Sequence, residues 1–228
     1  MKISNSTKSI LKNFSTINSG IKVEEGNRLK TISNMKNILA VADVSEEFPV
    51  TFSIYNLSEF LGATSLMETP EYDFGESSVM ISDTSAAMKY HYASEGMVVT
   101  PEKLITMPEC EIKFVLEEDT LNEMQKASSV LGVTDLVLER NQTPDNNDVY
   151  LVVRDKKNPT SNSFSRKVEV EDLKSDMVWF NFNFKIENLK ILPATYTVSV
   201  ASVGISHFES TEHNVQYFIA LEPDSKFG

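Results

Sequence analysis

The sequence predicts an α+β fold built from two similar halves. Two observations support this: strand-like runs outnumber helical ones, and the order of elements in residues 1–108 recurs in 109–228. Each half is expected to contain a helix, several strands, one longer strand, a short helix and a last set of strands. The predicted domains are 1–108, ending in a connector at about 96–108 that contains Pro101 and Pro108, and 109–228.

The first helix is predicted from apolar residues that share one face. At about 100° per residue they fall within an arc of about 120°, with Ser6 or Thr7 as the expected N-cap and Asn18-Ser19-Gly20 as the stop. Lys8 and Lys12 lie about 40° apart on the opposite arc. One face therefore enters a core, and the other presents two ammonium groups. The apolar residues are Ile10, Leu11, Phe14 and Ile17.

The remainder of the first half is predicted as strands interrupted by one short helix. Val50, Phe52 and Ile54 alternate with polar residues, which predicts a half-buried strand over 48–55. A short helix is predicted at 57–62, started by Asn56 or Ser58. Further strands are expected at 38–42, 71–74, 79–82 and 87–92.

The second half repeats this order. Its helix is expected to open at 117–120, where acidic residues suit a helix N-terminus, and to end at Gly132. Strands are predicted at 135–140, 149–154 and 179–184, followed by a short helix at 186–191 before Pro193. Three more strands are predicted at 195–202, 204–209 and 215–222. The inward side chains of the helix are expected to be Leu121, Met124, Ala127 and Leu131.

The charge of the chain is unevenly distributed. The net charge is −12, which by itself argues against a partner as anionic as DNA. Residues 1–40, however, hold seven basic and two acidic side chains, whereas the other 188 hold 14 basic and 31 acidic ones. A basic segment on an acidic body suits a protein that meets phosphate on one surface only. A solvated charge imbalance without function gives the same pattern.

No constellation of reactive residues indicates catalysis, a cofactor or a metal. The histidines His91, His207 and His213 are scattered, and no glycine-rich phosphate loop is present in the sequence. The run Asp145-Asn146-Asn147-Asp148 lacks the glycine and glutamate of a calcium loop and is interpreted as a hairpin loop. The single cysteine, Cys110, allows no intrachain disulfide, and the polar N-terminus does not resemble a signal peptide, so a cytoplasmic protein is expected.

Three stretches carry a family resemblance. They are the runs 11–21 (LKNFSTINSGI), 54–62 (IYNLSEFLG) and 220–225 (ALEPDS). In their order, and in total chain length, they resemble the sliding clamps of T-even phages. The resemblance spans the chain end to end, although 65–115 and 140–175 match in pattern rather than in residues.

The resemblance implies a duplicated DNA-clamp fold, with inner helices and outer antiparallel sheets, in which three subunits close a six-domain ring. It implies a non-enzymatic processivity factor that encircles duplex DNA in the cytoplasm of an infected bacterium. The implied partners are double-stranded DNA without sequence preference, the replicative DNA polymerase, an ATP-driven clamp loader and the late-transcription machinery. No cofactor is implied.

The helices of such a ring would face the DNA. Lysines on or beside the predicted helices are therefore the expected DNA contacts. Lys8 and Lys12 lie on the polar arc of the first helix, and Lys126 shares the face opposite Leu121 and Met124 with Asn122 and Ser129. The short helix of the second half is flanked by two more. The expected DNA-facing residues are therefore Lys8, Lys12, Lys126, Lys185 and Lys190.

The resemblance also implies an apolar cleft for a short partner peptide, beside the connector and the C-terminal strand. The residues expected to line it are Met97, Val99, Leu104, Ile105, Leu221 and Pro223. An ordinary core position is the alternative for each of them.

Two other functions remain open at this point. An acidic, β-rich virion or scaffold subunit would share the duplication and the absence of catalytic groups, but it has no need of the two-lysine face on the first helix. A small hydrolase with an unrecognised carboxylate pair is the third possibility. Ring closure, or a gain in polymerase processivity, distinguishes the clamp from both.

Overall fold

A computed structural model describes residues 1–140, 148–174 and 179–228. The chain forms two compact units, Met1–Leu104 and Ile105–Gly228. The division falls inside the predicted connector, and the boundary at 108/109 stays a prediction. Within these ranges no helix combines the length and the apolarity that crossing a membrane requires. The predicted loop at 145–148 lies outside the described residues except for Asp148.

Unit 1 contains two helices and two antiparallel sheets. One sheet has the strand order β3-β2-β1-β4, and the other has the order β5-β6-β7. Helix α1 packs on β2 and β3 and against α2. The elements are α1 Asn5–Ile17, β1 Ile21–Val23, β2 Gly26–Ile32, β3 Ile38–Phe48, β4 Phe52–Ile54, α2 Leu57–Thr64, β5 Glu71–Phe74, β6 Ser78–Ser82 and β7 Ala87–His91.

Unit 2 contains one long helix, one 3₁₀ turn and two antiparallel sheets. The strand orders are β11-β10-β9-β13-β17 and β12-β8-β14-β15-β16, and α3 packs on β10 and β11. The elements are β8 Ile112–Leu116, α3 Glu118–Leu131, β9 Asp135–Arg140, β10 Val149–Arg154, β11 Phe164–Val168, β12 Val170–Leu173, β13 Phe180–Lys185, the 3₁₀ turn Ile186–Asn188, β14 Tyr196–Ala201, β15 Ile205–Ser210, β16 Val215–Ala220 and β17 Lys226–Phe227.

The internal repeat is present in the strand pairing. The order β3-β2-β1-β4 in unit 1 corresponds to β11-β10-β9-β13 in unit 2, and β5-β6-β7 corresponds to β14-β15-β16. Even the first residue fits this scheme, because Tyr72 of β5 donates its N–H to the carbonyl of Met1 at 2.8 Å, as β14 pairs with β8. The predicted duplicated α+β architecture is therefore confirmed.

Helix α1 begins earlier than its predicted caps. The N-cap is Ser4, whose extended backbone places Oγ to accept the N–H of Thr7 at 3.2 Å. Thr7 itself is buried and donates its hydroxyl to Glu46 of β3. The expectation of Ser6 or Thr7 as N-cap is therefore wrong, whereas the four predicted apolar residues are all buried.

The predicted strand 48–55 is two elements. Phe48 closes the long strand β3, and the next strand starts only at Phe52. Pro49 lies between them, where it lacks the N–H that a ladder requires and fixes its own φ angle. Alternation holds only after the break, where Phe52 and Ile54 are buried and Ser53 is partly exposed, whereas Val50 is partly exposed and lies outside the strands.

The helices of unit 2 differ from their prediction in two respects. In α3, Leu121 and Met124 are buried as expected, but Ser128 takes the third inward position and Ala127 and Leu131 are partly exposed. The short helix predicted at 186–191 is only a single 3₁₀ turn. The equivalent α2 is capped by the Asn56 side chain, whereas Lys185 at the same place provides no acceptor for a cap.

Each unit has a core of its own. In unit 1 an aromatic cluster includes Phe48, Phe52 and Phe74, with ring centroids 5.0–5.9 Å apart. In unit 2 the buried pair Tyr196 and Tyr217 packs edge to face, and the hydroxyl of Tyr196 donates to the carbonyl of Leu192 at 2.6 Å. Each long helix therefore rests on strands of its own unit.

Candidate nucleic-acid interface

Helix α1 presents its lysines away from the core. Ile10, Leu11, Phe14 and Ile17 are buried, while Lys12 is exposed and Lys8 is partly exposed. Within the described residues neither lysine has an ion-pair partner closer than 4.0 Å. Both ammonium groups are therefore available to an external anion, as the helical pattern predicts.

The two lysines line one wall of a groove between α1 and α2. The groove has a volume of about 600 Å³ and an apolar floor formed partly by Leu61 and the buried Met67. Hydroxyl groups surround it, among them those of Ser15 and Ser58. This surface therefore combines positive charge with polar donors.

Helix α3 contributes a weaker positive surface. Lys126, Asn122 and Ser129 are all exposed, as predicted. The first turn of α3 also carries Glu118 and Asp119, which complement the helix dipole but oppose phosphate. Lys190, the last of the predicted DNA-facing residues along the chain, is exposed just after the 3₁₀ turn.

Lys185 has a different environment from the other four lysines. Its Nζ lies 2.5 Å from Oδ1 of Asp135, a carboxylate that is only 3% exposed. The hydrogen bond to Asp135 raises the pKa of Lys185. Burial raises the pKa of Asp135, but hydrogen bonds from Lys185 and Lys156 outweigh burial and lower it. The charge of Lys185 is thus committed to a buried ion pair, and its proposed role toward DNA is the weakest of the five.

The end of α1 holds part of the connector in place. The side chain of Asn18 donates to the carbonyls of Ile32 at 2.9 Å and Val99 at 3.2 Å. Beside it, a Cβ at Gly20 would meet the carbonyl oxygen of Ile54 and the Val98 side chain at 3.0 Å. The sequence indicated Asn18 and Gly20 only as a helix stop, and their packing against the connector was not predicted.

The residues predicted for the partner cleft are divided between the two units. Met97, Val99 and Leu104 of unit 1 and Ile105 of unit 2 have exposed side chains. In unit 2 Pro223 is also exposed, whereas Leu221 is only 7% exposed and donates its N–H to Gly204. The assembly of these six residues into one cleft stays a prediction.

No metal centre emerges from the part of the chain that the structure covers. Its His, Cys, Asp and Glu side chains form no group of three or more that could hold a metal ion. His207 is stacked on Phe218 and shares a hydrogen bond of 2.8 Å with Gln216, which is an ordinary arrangement on a strand surface. Burial raises the pKa of the Cys110 thiol, which disfavours a nucleophilic thiolate.

Comparison with known proteins finds relatives that match almost the whole chain. Residues 111–223 match the family model described as gp45 sliding clamp, C terminal. The chain is 34% identical to the sliding clamp of Vibrio phage KVP40 over 228 residues, covering 97% of this chain and 99% of the relative. It is 28% identical to the sliding clamp of Escherichia phage RB69, with 99% and 98% of the two chains covered.

The fold is also similar to solved clamp structures. PCNA from Thermococcus kodakaraensis aligns with a TM-score of 0.68 at 14% identity, over 94% of this chain and 95% of that one. PCNA from A. fulgidus, solved with the C-terminal region of FEN-1 bound, aligns with a TM-score of 0.65 at 14% identity, over 96% of both chains. These structures show that the fold is that of a DNA clamp, and the phage relatives show that the chain belongs to the sliding-clamp family.

Proposed function

We propose that this sliding clamp closes as a homotrimer around duplex DNA, catalyses no reaction itself and tethers a replicative polymerase through a short peptide. The observation that supports this most directly is the duplicated unit, each copy with a helix that presents a polar face, within a chain of the sliding-clamp family. Three such chains supply the six units of the ring. An ATP-driven loader is required to open a closed ring around DNA.

Attraction to DNA must be weak and diffuse, because a clamp has to slide. Lys8 and Lys12 of α1 provide this in unit 1, with Lys126 and Lys190 adding to it in unit 2. Three subunits place six α1 ammonium groups around the duplex. Each close phosphate contact releases roughly 0.9 counterion equivalents, but sliding contacts are transient and bridged by water, so the salt dependence should fall well below the six-contact value.

Assembly is proposed to use the open edges of the sheets. In the described ranges β7 ends a sheet of unit 1 and β11 ends a sheet of unit 2. Each leaves backbone N–H and C=O groups along one side, and unpaired edges of this kind favour pairing between subunits. Closed symmetry is expected because it leaves no repeating edge exposed.

The polymerase peptide is proposed to bind the apolar residues of the connector and the C-terminal segment. The A. fulgidus PCNA structure holds the C-terminal region of FEN-1, and we transfer only the idea of a peptide ligand. Met97, Val99, Leu104 and Ile105 are exposed apolar side chains. Leu221 is proposed to support the floor of this cleft rather than its rim, and Pro223 to border it.

The substitution Ile105→Glu tests this function. Because the side chain is exposed, the variant should fold and assemble normally, but a charged residue in an apolar cleft should abolish the gain in product length on a primed circular template. Val203→Glu is the matched control, since Val203 is an exposed apolar residue of unit 2 at a turn. If the Ile105→Glu variant assembles normally and still supports long products, Ile105 does not line the cleft.

A further inference from the structure

A pocket in unit 2 gathers basic side chains on an otherwise acidic unit. It has a volume of about 620 Å³ and lies where β9, β10, β13 and β17 come together. Residues 105–228 contain 12 Lys and Arg against 20 Asp and Glu. A third of these basic residues line this one pocket, together with a single acidic residue, Asp224. The basic residues are Arg140, Arg154, Lys156 and Lys226.

Part of the pocket lies on the sheet face that points away from α3. In the strand register Asp135 opposes Arg154 and Glu139 opposes Asn181, which places these residues on one face. Arg166, which pairs with Glu123 of α3 at 3.7 Å, opposes Leu151 on the other face. In the proposed ring the helices face the duplex, so the Arg154 side of the sheet does not. This step alone depends on the proposed function.

The pocket already binds carboxylates. Lys156 Nζ lies 2.7 Å from Oδ1 of Asp224, and an Arg154 guanidinium nitrogen lies 2.8 Å from Oε2 of Glu139. The two carboxylates differ in exposure, because the Asp224 side chain is half exposed whereas that of Glu139 is largely buried. Asp224 is therefore the group that an incoming carboxylate can replace.

An indole and an open strand edge complete the pocket. Trp179, the only tryptophan of the chain, is 38% exposed and lies against Gly228. Strand β17 pairs with β13 on one side and, among the described strands, ends its sheet on the other. A peptide can add its backbone to such an edge, whereas a nucleic acid cannot.

We propose that this pocket is a second docking site, for an extended acidic segment of a protein partner. The carboxylates of that segment bind the basic lining, its backbone lies along β17, and one of its residues packs on Trp179. Asp224 acts as an internal competitor for Lys156. The site differs from the proposed apolar cleft in chemistry, so one partner can engage both or two partners can engage one each.

The sole tryptophan makes occupancy directly measurable. The intact protein is titrated with a capped ten-residue peptide of alternating Glu and Thr while Trp179 fluorescence is followed, and the same peptide with Gln in place of Glu is the neutral probe. We expect saturable binding of the acidic peptide, weakening with salt, and little binding of the neutral one. Equal binding of the two peptides, or no saturable change with either, overturns the proposal.

Variants of two pocket residues should change the affinity for the acidic peptide in opposite directions. Lys226→Glu should weaken binding about tenfold, because it reverses a charge that the ligand approaches. Asp224→Asn keeps the size of the side chain and removes the closest carboxylate of Lys156, which leaves only Asp135 and Glu222 at 4.0 Å, so it should tighten binding about threefold. Lys157→Glu, an exposed neighbour outside the pocket, is the charge-matched control for Lys226→Glu. Equal weakening by the Lys157 and Lys226 variants would show a general charge effect and no site.

A nucleic-acid ligand is the remaining alternative. A ten-nucleotide oligothymidylate is titrated under the same conditions. Tighter binding of this oligonucleotide than of the acidic peptide contradicts a peptide site. Because the titration uses free peptide and no DNA circle, its failure leaves the clamp function untouched, and a failure of the clamp function leaves the titration interpretable.

Discussion

At the scale of single residues, the charge on α1 is a consequence of its core. Ile10, Leu11, Phe14 and Ile17 fix the rotation of the helix by their burial, and this leaves Lys8 and Lys12 on the opposite arc. Lysine suits this role, because a flexible ammonium group holds phosphate through water without the bidentate geometry that arginine brings. The same helix therefore packs on the sheet with one face and leaves its charged face for the proposed contact with DNA.

Replacing both lysines by glutamate tests this arrangement. Lys8→Glu with Lys12→Glu should change the free energy of unfolding by less than about 1 kcal/mol, since exposed charges contribute little to stability. Retention on circular DNA should fall severalfold and lose part of its salt dependence. The pair Lys36→Glu with Lys157→Glu, two exposed residues in turns outside the helices, changes the net charge equally. If the α1 double variant is retained as well as the parent protein at every salt concentration, the DNA contacts lie elsewhere.

Lys185 should respond to substitution in a different way. Lys185→Met leaves the buried carboxylate of Asp135 without its closest cation, although Lys156 remains at 4.0 Å. We expect a loss of about 2–4 kcal/mol in urea unfolding, the cost of breaking a buried pair. The same change at the exposed Lys126 should cost less than about 0.5 kcal/mol. Equal stability of the two variants would mean that the pair with Asp135 contributes nothing.

At the scale of elements, two glycines that each follow a leucine should respond in opposite ways to replacement by alanine. Gly62 lies inside α2, and a Cβ there meets no atom within 4 Å. Gly132 ends α3 in the left-handed region with φ of +66°. Gly62→Ala should therefore stabilise the protein by up to about 1 kcal/mol, and Gly132→Ala should destabilise it by about 1 kcal/mol. Urea unfolding of both variants measures this, and effects of the same sign contradict the helix assignments.

The elements also show how far the sequence alone leads. Both long helices and most of the strands follow from periodicity, because burial of one face imposes the pattern locally. The N-cap at Ser4 and the strands β8, β11, β12 and β17 were not predicted. The division at Pro49, the single 3₁₀ turn after Lys185 and the burial of Ser128 were not predicted. Ser128 is buried because its hydroxyl hydrogen-bonds the carbonyl of Val133 across the helix end. Such a contact depends on tertiary structure that no local pattern encodes.

The sites were predictable to different degrees. Lys8, Lys12 and Lys126 follow from helix geometry; Lys12 and Lys126 are exposed, and Lys8 is partly exposed. The pairing of Lys185 with Asp135 was hidden, because the two residues lie 50 positions apart and meet only through the register of β9 and β13. The basic pocket around Trp179 was hidden for the same reason, since its basic residues come from strand ends that are distant in the sequence.

At the scale of the whole molecule, the proposed function requires a topological link between protein and DNA. Strong local binding is not expected from a chain with a net charge of −12 and few lysines on its helices. Retention is therefore expected to come from enclosure, and the proposed role of the basic arc of α1 is to keep the duplex centred. Enclosure and adhesion make different predictions once the DNA is given free ends.

The most direct measurement is retention of the loaded clamp on a nicked circular duplex before and after cutting that circle once with a restriction enzyme. The clamp is first isolated together with the circle by gel filtration. If the clamp encloses the DNA, it should be lost from the DNA once the circle is linearised at the same ionic strength. A linear duplex blocked at both ends by bound protein should retain it. Equal retention on circular and free-ended DNA would mean that the protein adheres to the duplex without encircling it.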